Sequence, residues 1–444
     1  MAHPSTTDID PGARARVGHA PTGDELGAVR HAVRAYWEAH RDHGFDPADP
    51  VVRLHEPTFG PDEINAVLEC LLSTRVTMGE QVRGFERRFA RQSGWKHGVM
   101  SNSGSSANLL AIAALANPAR AGGLRPGDEV IVPALSWSTT VWPLIQLGLV
   151  PVIVDIDPVT WNIDPAAIAA AIGPKTRGVM IVPVYGNPCD MDAITAICDD
   201  HDLVLIEDCC EALGATWDGR PVGRSGAVGT FSFYYSHHIS TLEGGMCVTD
   251  DGDLAELMRI LRAHGWVRDV EDTRPWLDAH PGVDERFLFV NVGYNLRPTE
   301  PAGAMGAIQL PKLAGFVSAR RANAAWFTEH LGRFGELFAF QHELAKARSS
   351  WFGFPVLLAA AAPFSVDDLR RHLASRGVET RPVICGNIAR QPALKLYEHR
   401  APTPLPHADA VMRRGFSFGS HQALTAQARQ HVVDSIAEFV AARA

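Results

Sequence analysis

The sequence predicts an α/β protein with a mostly parallel β-sheet, followed by a smaller C-terminal α+β domain. Four short apolar runs bounded by turn residues occupy 128–133, 150–155, 178–183 and 203–208, as expected for buried strands. Helix-forming stretches lie between them, for example 165–172. Because neighbouring parallel strands need a long crossover connection, this alternation indicates a parallel sheet with helices on both faces.

The region before the sheet is predicted to be an N-terminal extension covering 1–54. Residues 1–22 are rich in Pro, Gly, Ala and Asp and lack the charged-then-apolar order of a signal peptide. We expect a disordered leader there. Residues 23–42 have the spacing of an amphipathic helix that precedes the core.

The central and C-terminal regions divide near residue 315, giving a large domain over 55–315 and a small domain over 316–444. A long helical stretch follows the division. It leads to a region with two strand candidates and two further helices, which together predict the α+β domain. The strand candidates are 351–358 and 378–383, and the helices are 365–375 and 425–442.

The bulk composition describes a globular chain without a nucleic-acid or membrane partner. Of 444 residues, 46% are hydrophobic and 20% are charged, which is enough apolar surface for a large core. The net charge of -9 and the pI near 6.1 argue against a basic face that binds nucleic-acid phosphates. No apolar run is long enough to span a membrane. We therefore expect a cytoplasmic protein.

The seven cysteines are expected to be free thiols, because seven in a long cytosolic-looking chain do not suggest a disulfide framework. An adjacent pair, Cys209 and Cys210, fits neither a disulfide nor a zinc spacing. We predict that most of these thiols are buried and that the chain holds no metal.

A small-residue segment over 101–108 precedes a predicted helix at 109–116. Small residues at a helix N-terminus expose backbone N–H groups and a favourable dipole, which suits a phosphate. A serine-rich cap without a ligand would give the same pattern, so this segment does not decide the function by itself.

Asp208 ends the fourth apolar run, and a carboxylate at a buried strand end requires a partner. A protonated pyridine nitrogen would be a suitable one, since the ion pair keeps the ring able to accept electrons. The alternative is that Asp208 caps a following helix. Trp137, which follows another strand, is either core filler or a ring that stacks on a cofactor.

The segment 229–245 resembles the cofactor segment of the fold-type-I sugar aminotransferases of the DegT/DnrJ/EryC1/StrS superfamily. Those enzymes bind pyridoxal phosphate (PLP) through a lysine six residues before a Glu-Gly-Gly triplet; here the triplet begins at Glu243 and His237 stands in the lysine position. Imidazole cannot form a Schiff base, so the cofactor should be held without a covalent bond. His237 would remain as a base of near-neutral pKa.

Two other interpretations of this segment remain open. His237 could be a core histidine with satisfied hydrogen bonds, and the adjacent His238 could be the base, although spacing from the triplet favours His237. None of the five lysines stands in an equivalent position.

Further strings resemble the same superfamily, and more narrowly its 3-dehydratase branch, from about residue 55 to the C-terminus. The resemblance is strongest to enzymes that dehydrate GDP-4-keto-6-deoxy-D-mannose. It implies a fold-type-I PLP-dependent transferase with a mixed, mostly parallel sheet. The strings are 76–80, 136–140, 235–239, 262–266, 293–298, 349–354 and 379–382.

The resemblance implies that His237 is the base and that seven further residues have cofactor roles. Gly104, Ser105 and Ser232 would hold the phosphate, Trp137 would stack on the ring, and Asp208 would pair with the ring nitrogen. Glu211 stands where aminotransferases usually carry Gln and would lie near the phenolic oxygen of the cofactor. Asn295 would reach the neighbouring subunit's site.

It also implies substrate contacts and a homodimer with shared active sites. Thr74, Arg75, Val76 and Thr77 would line the nucleotide side, and His264, Arg268, Glu379 and Arg381 would contact the amino donor or the sugar nucleotide.

A sister branch of dehydratases also carries the histidine but adds a [2Fe–2S] cluster. Its cluster ligands include a Cys-x-Cys and a further cysteine shortly after the catalytic segment. This chain has no cysteine between Cys247 and Cys385. We therefore expect no iron–sulphur cluster, although the long N-terminal extension resembles that branch.

The resemblance predicts a two-stage reaction. PLP would take an amino group from L-glutamate to give pyridoxamine phosphate (PMP), and PMP would then support loss of the C3 hydroxyl from a nucleotide-linked 4-keto-6-deoxyhexose, leaving a 4-keto-3,6-dideoxy sugar. A nucleotide-sugar aminotransferase and a catalytically silent protein that binds sugar nucleotides are the alternatives.

Overall fold

The computed structural model describes residues 23–41 and 44–443, so the leader predicted for 1–22 lies outside the described residues. The helices are α1 Gly23–His40, α2 Pro61–Leu72, α3 Glu80–Ser93, α4 Gly104–Leu115, α5 Ser138–Gln146, α6 Pro165–Ala171, α7 Met191–Asp200, α8 Gly252–Arg262, α9 Arg274–Ala279, α10 Glu300–Gln309, α11 Leu313–Leu331, α12 Val366–Ser375, α13 Pro406–Arg414 and α14 Ala426–Ala441. The strands are β1 His97–Ser101, β2 Glu129–Pro133, β3 Val150–Val154, β4 Thr176–Ile181, β5 Val204–Asp208, β6 Thr216–Trp217, β7 Arg220–Pro221, β8 Val228–Ser232, β9 Gly245–Thr249, β10 Phe338–Phe340, β11 Ala347–Arg348, β12 Phe354–Leu358, β13 Thr380–Arg381 and β14 Gly415–Phe418.

The large sheet has seven strands in the order β1-β9-β8-β5-β4-β2-β3. Strands β8, β5, β4, β2 and β3 run parallel to one another, whereas β9 is antiparallel to both β1 and β8. The prediction of a mixed, mostly parallel sheet is therefore confirmed. The four predicted strands correspond to β2–β5, and the largest displacement is two residues, at β4.

Alternate side chains of the parallel strands enter two different apolar cores. Val132 and Met180 pack with residues of α4, α5 and α8, whereas Ile131, Val179 and Ile181 pack with residues of α6 and α7. Successive strand side chains point to opposite faces, so helices cover both faces of the sheet.

The C-terminal region forms an antiparallel sheet in the order β10-β12-β14-β13. Its core contains residues of α11, α12 and α14 together with Val52 from the N-terminal extension, whose N–H donates to Gly377 O at 2.8 Å. The predicted strand 378–383 is shorter than expected. Pro382 has no N–H to donate, and Val378 pairs with Val52, so only Thr380 and Arg381 pair within this sheet.

The start of α4 differs from the sequence-based expectation of a helix over 109–116. The helix begins at Gly104, and Ser103 is its N-cap, with Ser103 Oγ accepting from Ser106 N at 3.1 Å. The small residues therefore form the first turn of the helix instead of a loop ahead of it, since a serine cap satisfies an N–H group that would otherwise lack a partner.

All seven cysteines are free thiols, as predicted; five are buried, and Cys210 and Cys385 are partly buried. Within 23–41 and 44–443, no three His, Cys, Asp or Glu side chains are grouped as metal ligands would be. Over the same residues, no helix combines the length and the apolar character needed to cross a bilayer.

Candidate active site

A cavity of about 350 Å³ opens where β5 and β8 end and where α4 and α5 begin. Ligands of α/β proteins usually bind at this edge of the sheet. Phe352, Arg381 and Ile384 close its other side. Eight of the predicted site residues line it: Gly104, Ser105, Trp137, Asp208, Glu211, Ser232, His237 and Arg381.

The N-terminus of α4 faces the cavity beside the end of β8. A Cβ on Gly104 would lie 2.4 Å from Ser232 Cβ, so only glycine allows this approach. Ser105 Oγ lies 3.0 Å from Thr139 Oγ1. Backbone N–H groups of a first helical turn, with these hydroxyls beside them, fit a phosphate group.

Asp208, the last residue of β5, is 4% exposed and also lines the cavity. Its Oδ2 accepts hydrogen bonds from Asn108 Nδ2 at 2.8 Å and from Thr140 Oγ1 at 2.7 Å, and its Oδ1 accepts from Cys210 N at 3.2 Å. Between Asp208 and β6 the described chain forms no α-helix that the carboxylate could cap. The N-cap alternative is therefore wrong, and these three hydrogen bonds hold the carboxylate at the cavity wall.

Trp137 lies at the edge of the cavity and is 55% exposed. Its backbone is the N-cap of α5, where φ is -83° and ψ is 155°. An indole with this exposure is not core filler. It offers a flat apolar surface against which an aromatic ligand could stack.

His237 is held in one orientation by the turn after β5. Its Nδ1 lies 2.7 Å from Cys210 O. Because a carbonyl oxygen can only accept, Nδ1 carries the proton and Nε2 has a free lone pair. The ring centroid lies 4.9 Å from that of Phe352.

Burial lowers the pKa of His237 to about 4, and the positive charges of Arg381 and Arg320 add to this effect. The near-neutral pKa expected from the sequence is therefore wrong, because water is replaced by apolar and cationic neighbours. At neutral pH the ring is an unprotonated base.

His238 takes no part in the cavity. It is fully buried, and its Nε2 lies 3.1 Å from Ser350 O. Burial lowers its pKa well below the usual range. Of the two adjacent histidines, His237, which the triplet spacing favours as the base, is the one that lines the cavity.

Glu211 and Arg381 place an acid and a cation on one side of the cavity. Glu211 Oε2 accepts from Tyr185 N at 3.1 Å, and burial raises the pKa of this carboxyl to about 7 against the opposing effect of Arg381. Arg381 Nε lies 3.4 Å from Tyr185 Oη, and its guanidinium carbon lies 5.3 Å from the centre of the Phe352 ring.

The sequence analysis missed the residues that support Asp208 and His237. Asn108 also accepts from Thr230 Oγ1 at 2.5 Å, so it links α4, β5 and β8. A signal for it existed, since Asn108 is a lone amide in an otherwise apolar stretch of α4. Thr140 and Phe352 gave no comparable signal, because their partners are distant in the chain.

The remaining predicted site residues do not line this cavity. Glu379 accepts from Leu54 N at 2.8 Å and borders a separate groove, and the guanidinium of Arg268 lies 5.0 Å from the centre of the Trp266 ring. The others lie on segments 74–77 and 264–295. In the first segment, Thr74 has φ 59°, Arg75 N donates to Ser73 Oγ, Val76 O accepts from Glu300 N, and Thr77 pairs with Thr299. In the second segment, His264 N donates to Tyr294 O, and Asn295 Oδ1 accepts from Arg297 Nε.

Comparison with known proteins identifies the family. The model of the DegT/DnrJ/EryC1/StrS aminotransferase family matches residues 57–437. The chain belongs to this family. The fold-type-I architecture expected from the sequence is thereby confirmed, as is the resemblance to the dehydratase branch.

Three similar proteins cover most of the chain. A GDP-4-keto-6-deoxy-D-mannose 3-dehydratase of Yersinia pseudotuberculosis is 41% identical over 83% of this chain and 94% of its own. A dTDP-4-dehydro-2,6-dideoxy-D-glucose 3-dehydratase of Saccharopolyspora spinosa is 39% identical over 94% of this chain and 93% of its own. A solved GDP-4-keto-6-deoxymannose-3-dehydratase with a trapped PLP–glutamate geminal diamine superposes with a TM-score of 0.80, at 37% identity over 87% of this chain and 100% of that one.

Proposed function

We propose that this chain is a PLP/PMP-dependent 3-dehydratase of a nucleotide-linked 4-keto-6-deoxyhexose. The substrate is GDP-4-keto-6-deoxy-D-mannose, the product is the corresponding 4-keto-3,6-dideoxy sugar, and L-glutamate is the amino donor. The observation that carries the proposal is His237, which faces the cavity where the aminotransferase pattern requires a lysine. The names of the similar dehydratases support the substrate and the donor.

The residues around the cavity fit the cofactor at three points. The first turn of α4 and Ser232 would bind its phosphate, Asp208 would pair with its ring nitrogen, and the exposed indole of Trp137 would stack on its ring. When bound, PLP carries the amino group from glutamate, and its ring accepts electrons during the elimination.

Nε2 of His237 is the atom proposed to move the proton. The hydrogen bond from Nδ1 to Cys210 O fixes the tautomer, so the lone pair on Nε2 faces the cavity. An unprotonated imidazole can take a proton from the carbon next to the cofactor amine and return a proton later in the same turnover. The Phe352 ring packs against the imidazole, with the ring centroids 4.9 Å apart.

No lysine competes for the cofactor in the part of the chain that the structure describes. None of the five lysines lines the cavity. Two of them are in ion pairs elsewhere, Lys312 with Glu63 at 2.5 Å and Lys346 with Asp192 at 2.6 Å. This argues against the aminotransferase alternative, in which lysine would release the amine product.

We further propose that the enzyme is a homodimer whose second subunit completes the site. Segments 74–77 and 264–295 lie outside the cavity, yet the family resemblance gives them substrate roles. Apolar side chains near these segments and near the cavity are unusually exposed, as a subunit interface would require. They include Leu71, Leu72, Val76, Tyr234, Tyr235, Leu242, Phe287, Phe289 and Val292.

The test is a product assay with a panel of nucleotides. PLP-loaded protein and L-glutamate are incubated with the GDP-, CDP-, dTDP- and UDP-linked 4-keto-6-deoxyhexoses, and products are analysed by mass spectrometry. We expect a deoxygenated keto sugar from the GDP substrate and ammonia in equal amount. A nitrogen-containing sugar product would support the aminotransferase alternative. If L-glutamate does not convert bound PLP to PMP, the result would support the alternative of a catalytically silent protein that binds sugar nucleotides.

A further inference from the structure

Arg320, on α11, is a buried cation without an acidic partner. The residue is 1% exposed, and Nη1 donates to Trp351 O at 3.3 Å and to Phe352 O at 2.9 Å. Within residues 23–41 and 44–443 it forms no ion pair, and its Nε has no hydrogen-bond partner. Burial lowers its pKa to about 10. Keeping an unpaired charge in this place costs folding free energy, which suggests a use for it.

The two carbonyl groups that Arg320 holds belong to the segment that closes the active-site cavity. Trp351 has φ 49°, a conformation that a tryptophan seldom adopts, so the turn depends on such support. The next residue, Phe352, packs its ring against the active-site imidazole of His237 at 4.9 Å and against His55 at 5.5 Å. Arg320 therefore fixes the side of the cavity that His237 faces.

The charge of Arg320 also acts on the histidines around this ring. It is among the causes that lower the pKa of His55, His237, His238 and His421. For all four histidines burial is the largest cause, and the charge of Arg320 adds to it. No carboxylate next to Arg320 cancels its field, so the field reaches these rings.

We propose that Arg320 is a positioning residue for the dehydration: it fixes Phe352 against His237 and supplies an unpaired, buried positive charge beside them. The reaction itself rests on the proposed function above. The predicted effect of Arg320 on the titration of His237 does not rest on the proposed function, because it concerns one ring in the folded protein.

Other charged and titratable groups lie around His237, and the test must separate their effect on its pKa from the effect of Arg320. Arg381, on β13, acts in the same direction as Arg320. His55 and His238 are neighbouring rings whose own pKa values are lowered. The acidic and phenolic groups that line the same cavity are Asp208, Glu211, Glu243 and Tyr234. Among these groups, Arg320 is distinguished by its bonds to both Trp351 O and Phe352 O and by its position outside the cavity.

The variants are Arg320→Met, which removes the charge, and Arg320→Lys, which keeps it. Arg321→Met is the matched control. Arg321 lies next to Arg320 on α11 and also bonds to carbonyl groups, Ser349 O at 2.7 Å and Gly214 O at 3.2 Å, but it is not among the charges that act on His237. A purely structural role would affect both methionine variants alike.

The first readout is an NMR titration of histidine-labelled, cofactor-free protein, with the His237 signal assigned by its loss in His237→Asn. We expect the titration of His237 to move up by a fraction of a pH unit, since burial remains the larger cause, in Arg320→Met and to stay unchanged in Arg320→Lys and Arg321→Met. If Arg320→Met does not fold, Arg320→Gln replaces it. An ordinary pKa near 6.5 for His237 in the parent protein, or identical titrations in parent and Arg320→Met, would overturn the proposal.

The second readout is the pH profile of kcat/KM for dehydration. The acidic limb should move up by the same amount in Arg320→Met. A profile that is merely lower at every pH would mean that Arg320 is structural. A parent protein that does not dehydrate any sugar, but in which the His237 titration still depends on Arg320, would refute the proposed function and leave this inference standing.

Discussion

At the scale of single residues, the chemistry depends on an imidazole in place of an amine. His237 keeps its proton on Nδ1 through Cys210 O and offers Nε2 to the cavity. The low pKa that burial gives this ring means that it can accept a proton throughout the neutral range. Its role as base and the absence of a covalent bond to PLP can be tested by substitution.

His237→Lys should change the reaction type. Lysine can bond covalently to PLP, so borohydride should attach a pyridoxyl group to residue 237 in the variant and to none of the five native lysines in the parent. Dehydration should fall by about 10²–10⁴-fold with loss of the base, as it should in the control His237→Ala. If both variants dehydrate the sugar at the parent rate, another residue is the base, and His238 is the first to examine.

Asp208→Asn should reduce turnover by about 10²–10³-fold, because it removes the anion opposite the ring nitrogen. Folding should be little affected, since the amide oxygen can still accept from Asn108 and Thr140. The measurements are kcat with saturating PLP, and the thermal midpoint as the folding control. Turnover close to the parent in a folded variant would show that Asp208 is not the ring partner.

At the scale of elements, the start of α4 determines whether a phosphate can be bound. Its first turn reaches the cavity only because Gly104 lies against Ser232 without a side chain between them. The Ser103 cap leaves the N–H groups before Ser106 free to face a ligand. The proposed phosphate site therefore depends on the N-terminus of α4, on the end of β8 and on the absence of a side chain at Gly104.

Gly104→Ala should weaken PLP affinity by at least about tenfold, because the added Cβ would lie 2.4 Å from Ser232 Cβ and would force α4 and β8 apart. Gly84→Ala is the control: this glycine lies within α3, and its Cβ would have no atom within 4 Å. The control should stabilise the protein by about 0.5–1 kcal/mol. Equal PLP affinity in Gly104→Ala and the parent, measured by equilibrium dialysis, would exclude the assigned phosphate site.

At the scale of the whole molecule, two buried and two partly buried histidines should make the fold sensitive to acid. Burial lowers the pKa of His55 to about 3 and that of His237 and His421 to about 4, and it lowers that of His238 further still. Unfolded histidine takes up its proton near pH 6.5. Between that pH and about 4 the unfolded chain binds more protons than the folded one, so the free energy of unfolding falls as the pH falls.

Urea unfolding between pH 7.5 and 5 should therefore show a loss of up to about 1.4 kcal/mol per pH unit for each such histidine below pH 6.5. His421→Gln should reduce the slope, because its ring lies buried with Nε2 3.1 Å from Arg53 O. His201→Gln, at an exposed position, should leave the slope unchanged. A free energy of unfolding that is constant from pH 7 to 5 would contradict this account.

Much of the fold followed from local patterns. The apolar runs predicted β2–β5, because strands buried on both faces of a parallel sheet are recognisable as short continuous apolar runs. The N-terminal helix α1 ends within two residues of its predicted end. The predictions failed where tertiary contacts decide an element's length. Strand β13 is short because Val378 pairs with the N-terminal extension, and α4 starts early because Ser103 caps it.

The sequence by itself determined the chemistry of the site: a histidine in the lysine position, a strand-end aspartate and a small-residue segment in one order. Only the tertiary structure decided their environment. Asn108 and Thr140 reach Asp208 from 100 and 68 residues away, and Arg320 reaches Phe352 from another helix. The contact with Cys210 O sets which nitrogen of His237 is protonated, and burial, helped by Arg381 and Arg320, lowers the pKa of the ring. Such properties depend on burial and on charge in space, which residue order alone does not specify.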